Sequence, residues 1–225
     1  MTDVFACARA QIYYNSKRKP LAQVKRETGC SHIINGYLFN GSFQPVGWTV
    51  IDGKVISRDA YQDWGISIGS DGKPQMLTDR GGSFLSGVPL LKNGAKLERS
   101  LTPDVARSAA RTAVGWMPDR RICLWCDKTS LTREQLQNKL LGLGVADALM
   151  LDGGGSTQGI FPNGKVASSR KVPTMVLFWE ETHQEENTDL NWAGKSGILT
   201  EAQLAEPEKA VTRRELAEIL HRLQK

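Results

Sequence analysis

No stretch of the chain approaches the roughly 18 consecutive apolar residues a membrane-spanning helix needs, so no membrane partner is expected. The first residues, Met1-Thr2-Asp3-Val4, carry no basic segment followed by an apolar run, which argues against a secretory signal and for a cytoplasmic setting. Cysteine is scarce: Cys7, Cys30, Cys123 and Cys126 are too few to scaffold 225 residues with disulfides. Cys123 and Cys126 have C-x-x-C spacing, but no second Cys or His pair completes a zinc site, and three-apart positions on a strand face opposite ways. Buried structural thiols, no metal and no cofactor are therefore expected. Helix-turn-helix, zinc-finger and RNA-recognition signatures are missing, so nucleic acid is not an expected partner. No internal repeat is found in the body.

What the chain does have is the composition of a globular domain, with 40% hydrophobic and 24% charged residues. Its charge is uneven. Residues 1–179 carry 23 Lys and Arg against 14 Asp and Glu, whereas residues 180–225 carry 6 against 10. A basic body suits an anionic ligand, although scattered surface charge would give the same count.

Turn chemistry divides the first hundred residues into short strands. Asp52-Gly53, Ser70-Asp71-Gly72 and Asn93-Gly94 each separate two apolar-rich runs, the pattern of hairpins. Thr102-Pro103-Asp104 is suited to a helix start. Strands are expected over 112–116 and 121–126. Thr132-Arg-Glu-Gln135 is a capping box, with Leu136, Leu140 and Leu143 following at helical spacing. A strand over 148–151 leads into Asp152-Gly153-Gly154-Gly155-Ser156-Thr157, and 172–179 is the last core strand. After Trp179 the residues turn acidic and aperiodic. The expected organisation is an α+β body with a mixed β-sheet and few helices over 1–179, an acidic linker over 180–190, and a small helical unit over 191–225.

Three successive glycines behind a buried strand cost backbone entropy and make sense where the backbone approaches a ligand closely. Freed N–H groups can form an anion nest, to which Ser156 and Thr157 add hydroxyls. No Gly-Lys-Ser/Thr follows, so this is not a Walker loop. Arg111 opens an apolar strand and could bind phosphate in bidentate fashion, or form an ordinary salt bridge. Asn35 could touch a sugar or phosphate, or be a turn residue. Arg170-Lys171 is a basic pair ahead of the last strand, or a solvated edge.

Together Ile34-Asn35-Gly36-Tyr37-Leu38-Phe39, Arg111-Thr112-Ala113-Val114-Gly115, Leu151-Asp152-Gly153-Gly154-Gly155-Ser156-Thr157 and Arg170-Lys171-Val172-Pro173 resemble the phosphodiester glycosidase family, over about residues 4–179. Where that family usually reads Asn-Gly-Gly-Tyr-Phe, this chain reads Asn35-Gly36-Tyr37-Leu38-Phe39, which alters the loop. The resemblance implies a hydrolase that cleaves a sugar from a glycosyl phosphodiester, either a sugar-1-phosphate diester or a nucleotide-sugar-like substrate. It implies Asp152, Asn35 and Ser156 as the catalytic set, with Arg111, Arg170, Gly153, Gly154, Gly155 and Thr157 on the phosphate. Two other readings remain open: a protein that sequesters a nucleotide-sugar or ADP-ribose-like ligand, and a wall-directed protein acting on sugar–phosphate polymers. Asn191-Trp192-Ala193 and Val211-Thr212-Arg213-Arg214-Glu215-Leu216 are similar to one S-layer-homology-like repeat. Such a repeat implies wall contact or a homo-oligomer formed through 191–225, with release by lysis if the protein is phage-encoded.

Overall fold

The computed structural model describes residues 1–58, 64–78, 82–181 and 219. The backbone divides into two compact units, Met1–Glu181 and Thr182–Lys225. Apart from Ile219, the second unit lies outside the described residues, and with it the expected helical unit and nearly all of the expected linker.

The extended start breaks at Ala6 into β1 (Thr2–Phe5) and β2 (Cys7–Tyr14), which join different sheets. A helix, α1 (Leu21–Thr28), precedes β3 (His32–Asn35). β4 (Thr49–Ile51) and β5 (Lys54–Ser57) are joined at Asp52-Gly53, whose φ values of 50° and 76° are those of a tight hairpin turn. Then come β6 (Gly65–Ile68), β7 (Pro74–Leu77) and β8 (Ser83–Ser86). Asn93-Gly94, with φ of 50° and 74°, turns β9 (Val88–Lys92) into β10 (Ala95–Lys96). A one-turn helix, α2 (Pro103–Ala106), leads to β11 (Ala109–Trp116) and β12 (Ile122–Leu131). The expected capping box forms at the start of α3 (Arg133–Gly142), where Thr132 and Gln135 bond reciprocally. β13 (Asp147–Met150), a 3₁₀ turn (Gly154–Ser156), β14 (Gly159–Phe161), β15 (Gly164–Val166) and β16 (Thr174–Glu180) complete the body.

The strands form three sheets, in the orders β1-β12-β11-β13-β9-β10, β15-β14-β3-β16-β2 and β5-β4-β8-β6-β7. The body is thus mostly β with a few helices, and its described strand pairs are antiparallel rather than mixed. The second sheet is covered on both faces, which its alternation encodes. Ile34, Val176 and Phe178 enter the main core, while Ile33, Met175 and Leu177 pack with Leu21 and Val24 of α1.

α1 was not legible as a helix. Pro20 at its N-cap provides no side-chain cap, and only Leu21 and Val24 are buried. The usable signal was Gly29, left-handed at φ 66°, closing a run of helix-favouring residues. The four cysteines are free and buried, and burial pushes the Cys123 and Cys126 thiols up to about 11.

His32 carries a pH prediction. It is fully buried, stacked on Phe5 at 3.8 Å, with Nε2 3.1 Å from Asp3 Oδ2 and Nδ1 2.9 Å from Ser31 Oγ. Burial holds its pKa below the ordinary value, outweighing the opposite pull of Asp3. Below an ordinary His pKa of about 6.5 the unfolded chain therefore binds a proton that the folded ring resists. Stability from this group is complete above that pH and is lost as the pH falls through it. Melting temperature should drop more for wild type than for His32→Gln between about pH 7.5 and about pH 5.5. Parallel curves would remove His32 from the account.

Candidate functional site

β13 belongs to one sheet and β14 to another, so residues 151–158 bridge the two. Asn35, buried at the end of β3, is the node that holds this bridge. Its Nδ2 donates to Asp152 O (2.9 Å) and Gly36 O (3.0 Å), while its Oδ1 accepts from Thr112 Oγ1 (2.7 Å) and Gln158 N (3.1 Å). Both donors and both acceptor positions of the amide are therefore occupied within the protein. Backbone bonds brace the same corner: Asp152 N to Gly36 O (3.1 Å), Leu151 N to Thr112 O (2.9 Å) and Gly36 N to Thr174 O (2.8 Å). Gly36 is required by that approach, since a Cβ there would lie 2.8 Å from the Thr174 carbonyl carbon.

The three glycines after Asp152 have three different reasons. A Cβ on Gly153 would sit 2.6 Å from Ala110 O, so close packing against β11 demands glycine. Gly154 has φ 58°, a left-handed conformation that other residues adopt at a cost. A Cβ on Gly155 would meet the Arg170 guanidinium carbon at 3.2 Å. The same measure puts Arg111 Nη1 3.7 Å from the Gly153 position and Arg107 Nη2 3.4 Å from that of Gly154. Three guanidinium groups thus converge on one short loop. The backbone N–H groups of Gly154 and Gly155 have no acceptor among the described residues.

Within this basic frame Asp152 is half-buried, and its Oδ1 accepts the Gly153 N–H at 2.8 Å. Burial raises its carboxyl pKa above the ordinary carboxylate value, against the lowering pull of Ser156, the Gly153 N–H, Arg170 and Arg107. Ser156 Oγ lies near this carboxyl but makes no well-formed hydrogen bond among the described residues, and Thr157 Oγ1 is likewise buried without a partner among them.

The arginines divide by role. Arg111 is 3% exposed, and its Nε, Nη1 and Nη2 donate to the carbonyls of Leu131 (3.0 Å), Val105 (3.3 Å) and Arg107. Burial and the neighbouring Arg107 charge hold its pKa below the ordinary arginine value. Its guanidinium ties α2 to the end of β12 and makes no ion pair among the described residues. Arg170, by contrast, is exposed, and its guanidinium makes no hydrogen bond among the described residues.

Asp152, Asn35, Ser156, Arg111, Arg170 and residues 153–157 are therefore brought to one corner. Sequence reading missed Arg107, which has no neighbouring motif and reaches the loop only because α2 precedes β11. It also assigned no role to Thr112 and Gln158, or to Lys128, whose Nζ donates to Thr157 O at 2.6 Å. A cavity of about 760 Å³ lies at the other end of β11 and β13, around Trp116 and Asp147. A smaller one, about 200 Å³, is lined by Arg170 and adjoins the loop.

A family model described as phosphodiester glycosidase matches residues 28–179. No curated protein matches the chain. Among solved structures, the catalytic domain of zebrafish N-acetylglucosamine-1-phosphodiester alpha-N-acetylglucosaminidase, auto-inhibited by its pro-peptide, is similar with a TM-score of 0.62. It is 21% identical, over 77% of this chain and 73% of that one. A hypothetical protein from Synechocystis is similar with a TM-score of 0.59 and 14% identity, over 76% of this chain and 56% of that one. At these identities the likeness is one of fold.

Proposed function

The chain belongs to the phosphodiester glycosidase family, a glycoside-hydrolase-type enzyme acting on a glycosyl phosphodiester, and from that premise we propose how its own residues do this. The substrate is a sugar joined through its anomeric oxygen to a phosphodiester, either a sugar-1-phosphate diester or a nucleotide sugar. Asp152 sits at the anomeric carbon, and the glycine loop holds the phosphate. The observation that carries this reading is a single half-buried carboxyl, its pKa raised, beside two unpaired backbone N–H groups and flanked by Arg107 and Arg170.

A water oxygen bonds to the anomeric carbon as the bond from that carbon to the phosphate oxygen breaks. The bonding pair leaves on the phosphomonoester, or on the nucleoside diphosphate where the substrate is a nucleotide sugar, and the water proton passes to Asp152. A phosphomonoester leaves readily, so acid assistance at the leaving oxygen is dispensable. The larger demand is stabilisation of charge growing on the phosphate, which fixed N–H dipoles and guanidinium groups supply without reorganising. A carboxylate placed beside an anion is raised in pKa, which suits a group that must accept a proton. Asn35, with its amide fully engaged, positions the loop rather than touching the sugar. Arg111 contributes its charge from behind, while Arg170 makes the direct contact.

Hydrolysis in ¹⁸O-water tests the reading. Label on the sugar C1 hydroxyl, with unlabelled phosphomonoester, is the expected result. Label on phosphate would make the protein a phosphodiesterase, and tight binding without products would make it a sequestering protein. A charge-assisted hydrogen bond contributes about 1.5–3 kcal/mol, so Arg170→Ala should lower kcat/KM by about 10- to 10²-fold in a protein that melts like wild type. Arg111→Ala should instead lower the melting temperature, because three carbonyls lose their donor.

A further inference from the structure

We infer that the cavity of about 200 Å³ beside Arg170 binds a second phosphate, carried by the leaving group of the substrate, so that the preferred substrate has an anionic group beyond the phosphate at the scissile glycosidic bond. The inference rests on the phosphodiester glycosidase reading and adds to it what lies past the bond that breaks.

The cavity is lined by Lys19, Lys165, Arg170 and Lys171 over an apolar wall that includes Leu21 and Ile160, and no Asp or Glu among the described residues lines it. Lys19 is paired with Glu27. The side chains of Lys165, Arg170 and Lys171 are exposed and make no hydrogen bond or ion pair among the described residues. Around the larger cavity, by contrast, three of the four lining cations are matched: Lys73 pairs with Glu181, Lys92 with Asp147 and Arg121 with Asp119. Lys165 and Lys171 have no acidic partner among the described residues, and Arg170, whose acidic neighbour is Asp152, adds a third positive charge to the same concavity; like charges there repel one another, and an apolar wall strengthens both that repulsion and the attraction for an anion.

Position links this cavity to the reaction. Ser168, which lines it, donates from Oγ to Gly155 O at 2.6 Å and accepts from Arg170 N at 3.1 Å. The Arg170 guanidinium lies against Gly155 on one side and lines the cavity on the other. A phosphate held at the glycine loop therefore has its next anionic neighbour within reach of Lys165 and Lys171. Two sources share this chemistry: the diphosphate of a nucleotide sugar, and a phosphate further along a glycosyl phosphodiester chain.

The test is the double substitution Lys165→Ala/Lys171→Ala with three substrates: a nucleoside-diphosphate sugar, a glycosyl phosphoglycerol bearing a terminal phosphate, and a methyl glycosyl phosphodiester. The wild type should favour at least one doubly charged substrate over the methyl diester by about tenfold or more in kcat/KM. The double variant should lose that preference, mainly through KM, while its rate on the methyl diester stays within about twofold. The doubly charged substrate that shows the effect identifies the source. Equal use of all three substrates by the wild type, or an equal loss on all three in the variant, would overturn the inference. If none of the three is hydrolysed, the family-based mechanism fails instead, and titration with inorganic pyrophosphate decides this site. Weaker binding by the variant supports it, and unchanged or absent binding overturns it.

Discussion

Asp152→Asn is expected to lower turnover by about 10²-fold or more, the scale of losing an acid–base group, while ligand binding is kept or tightened. The substitution is nearly isosteric, and the amide oxygen still accepts the Gly153 N–H that Asp152 Oδ1 accepts at 2.8 Å. What disappears is the charge. That charge opposes a bound phosphate, so its removal should not weaken binding. It is also a burden on the fold. Because the folded carboxyl titrates above its ordinary value, holding it ionised at neutral pH costs stability, and the cost fades as the pH falls toward the ordinary value. Asp152→Asn should therefore melt at or above the wild-type temperature at neutral pH. In the wild type, kcat should fall on the acid side with an apparent pKa above that of a free aspartate. Normal turnover by the folded variant would make Asp152 a turn residue and leave the chemistry without a base. A protein both inactive and poorly folded would point to a structural bond that the geometry does not contain.

The parts of this molecule that were legible are those specified by neighbours in sequence. Asp52-Gly53 and Asn93-Gly94 turn hairpins because Asp, Asn and Gly tolerate the left-handed conformations such turns require. Thr132 and Gln135 satisfy helix-end groups three residues apart, and the glycine run after Asp152 marked the loop before any fold was known. What stayed hidden depends on distance along the chain. Arg107 sits among small, mostly apolar residues and matters only through its approach to Gly154. Arg111, an arginine opening an apolar strand, suggests phosphate binding or a salt bridge, and the family resemblance points to phosphate. Its partners, the carbonyls of Val105, Arg107 and Leu131, are invisible until β12 is laid beside β11. The three glycines looked equivalent, yet one yields to a neighbouring carbonyl, one to its own φ and one to a guanidinium. Helix α1, with one buried residue per turn and no side-chain cap, lacked the stripe by which amphipathic helices are read.

Asn35→Ala should do the largest damage to the fold and stop turnover with it. The substitution strands the Thr112 hydroxyl, the Gln158 N–H and the Asp152 carbonyl, each of which meets the Asn35 amide in a corner with little access to water. Each buried group left without a partner costs about 1–3 kcal/mol, so a loss of about 3 kcal/mol or more is expected from a fold stabilised by about 5–15 kcal/mol. Melting should fall by about 2–4 °C for each of those kcal/mol. Asn35→Asp separates bracing from chemistry. The carboxylate still accepts from Thr112 and Gln158, so the variant should be more stable than Asn35→Ala, but it cannot donate to Asp152 O. It also sets a second negative charge near Asp152, which raises the pKa of that carboxyl further. The acid limb of the pH–rate profile should then move to higher pH, a shift that a purely architectural asparagine would not produce. Retained wild-type melting in Asn35→Ala would show that the corner is held by its backbone bonds alone. An unmoved acid limb in Asn35→Asp would place the base that governs the rate somewhere other than Asp152.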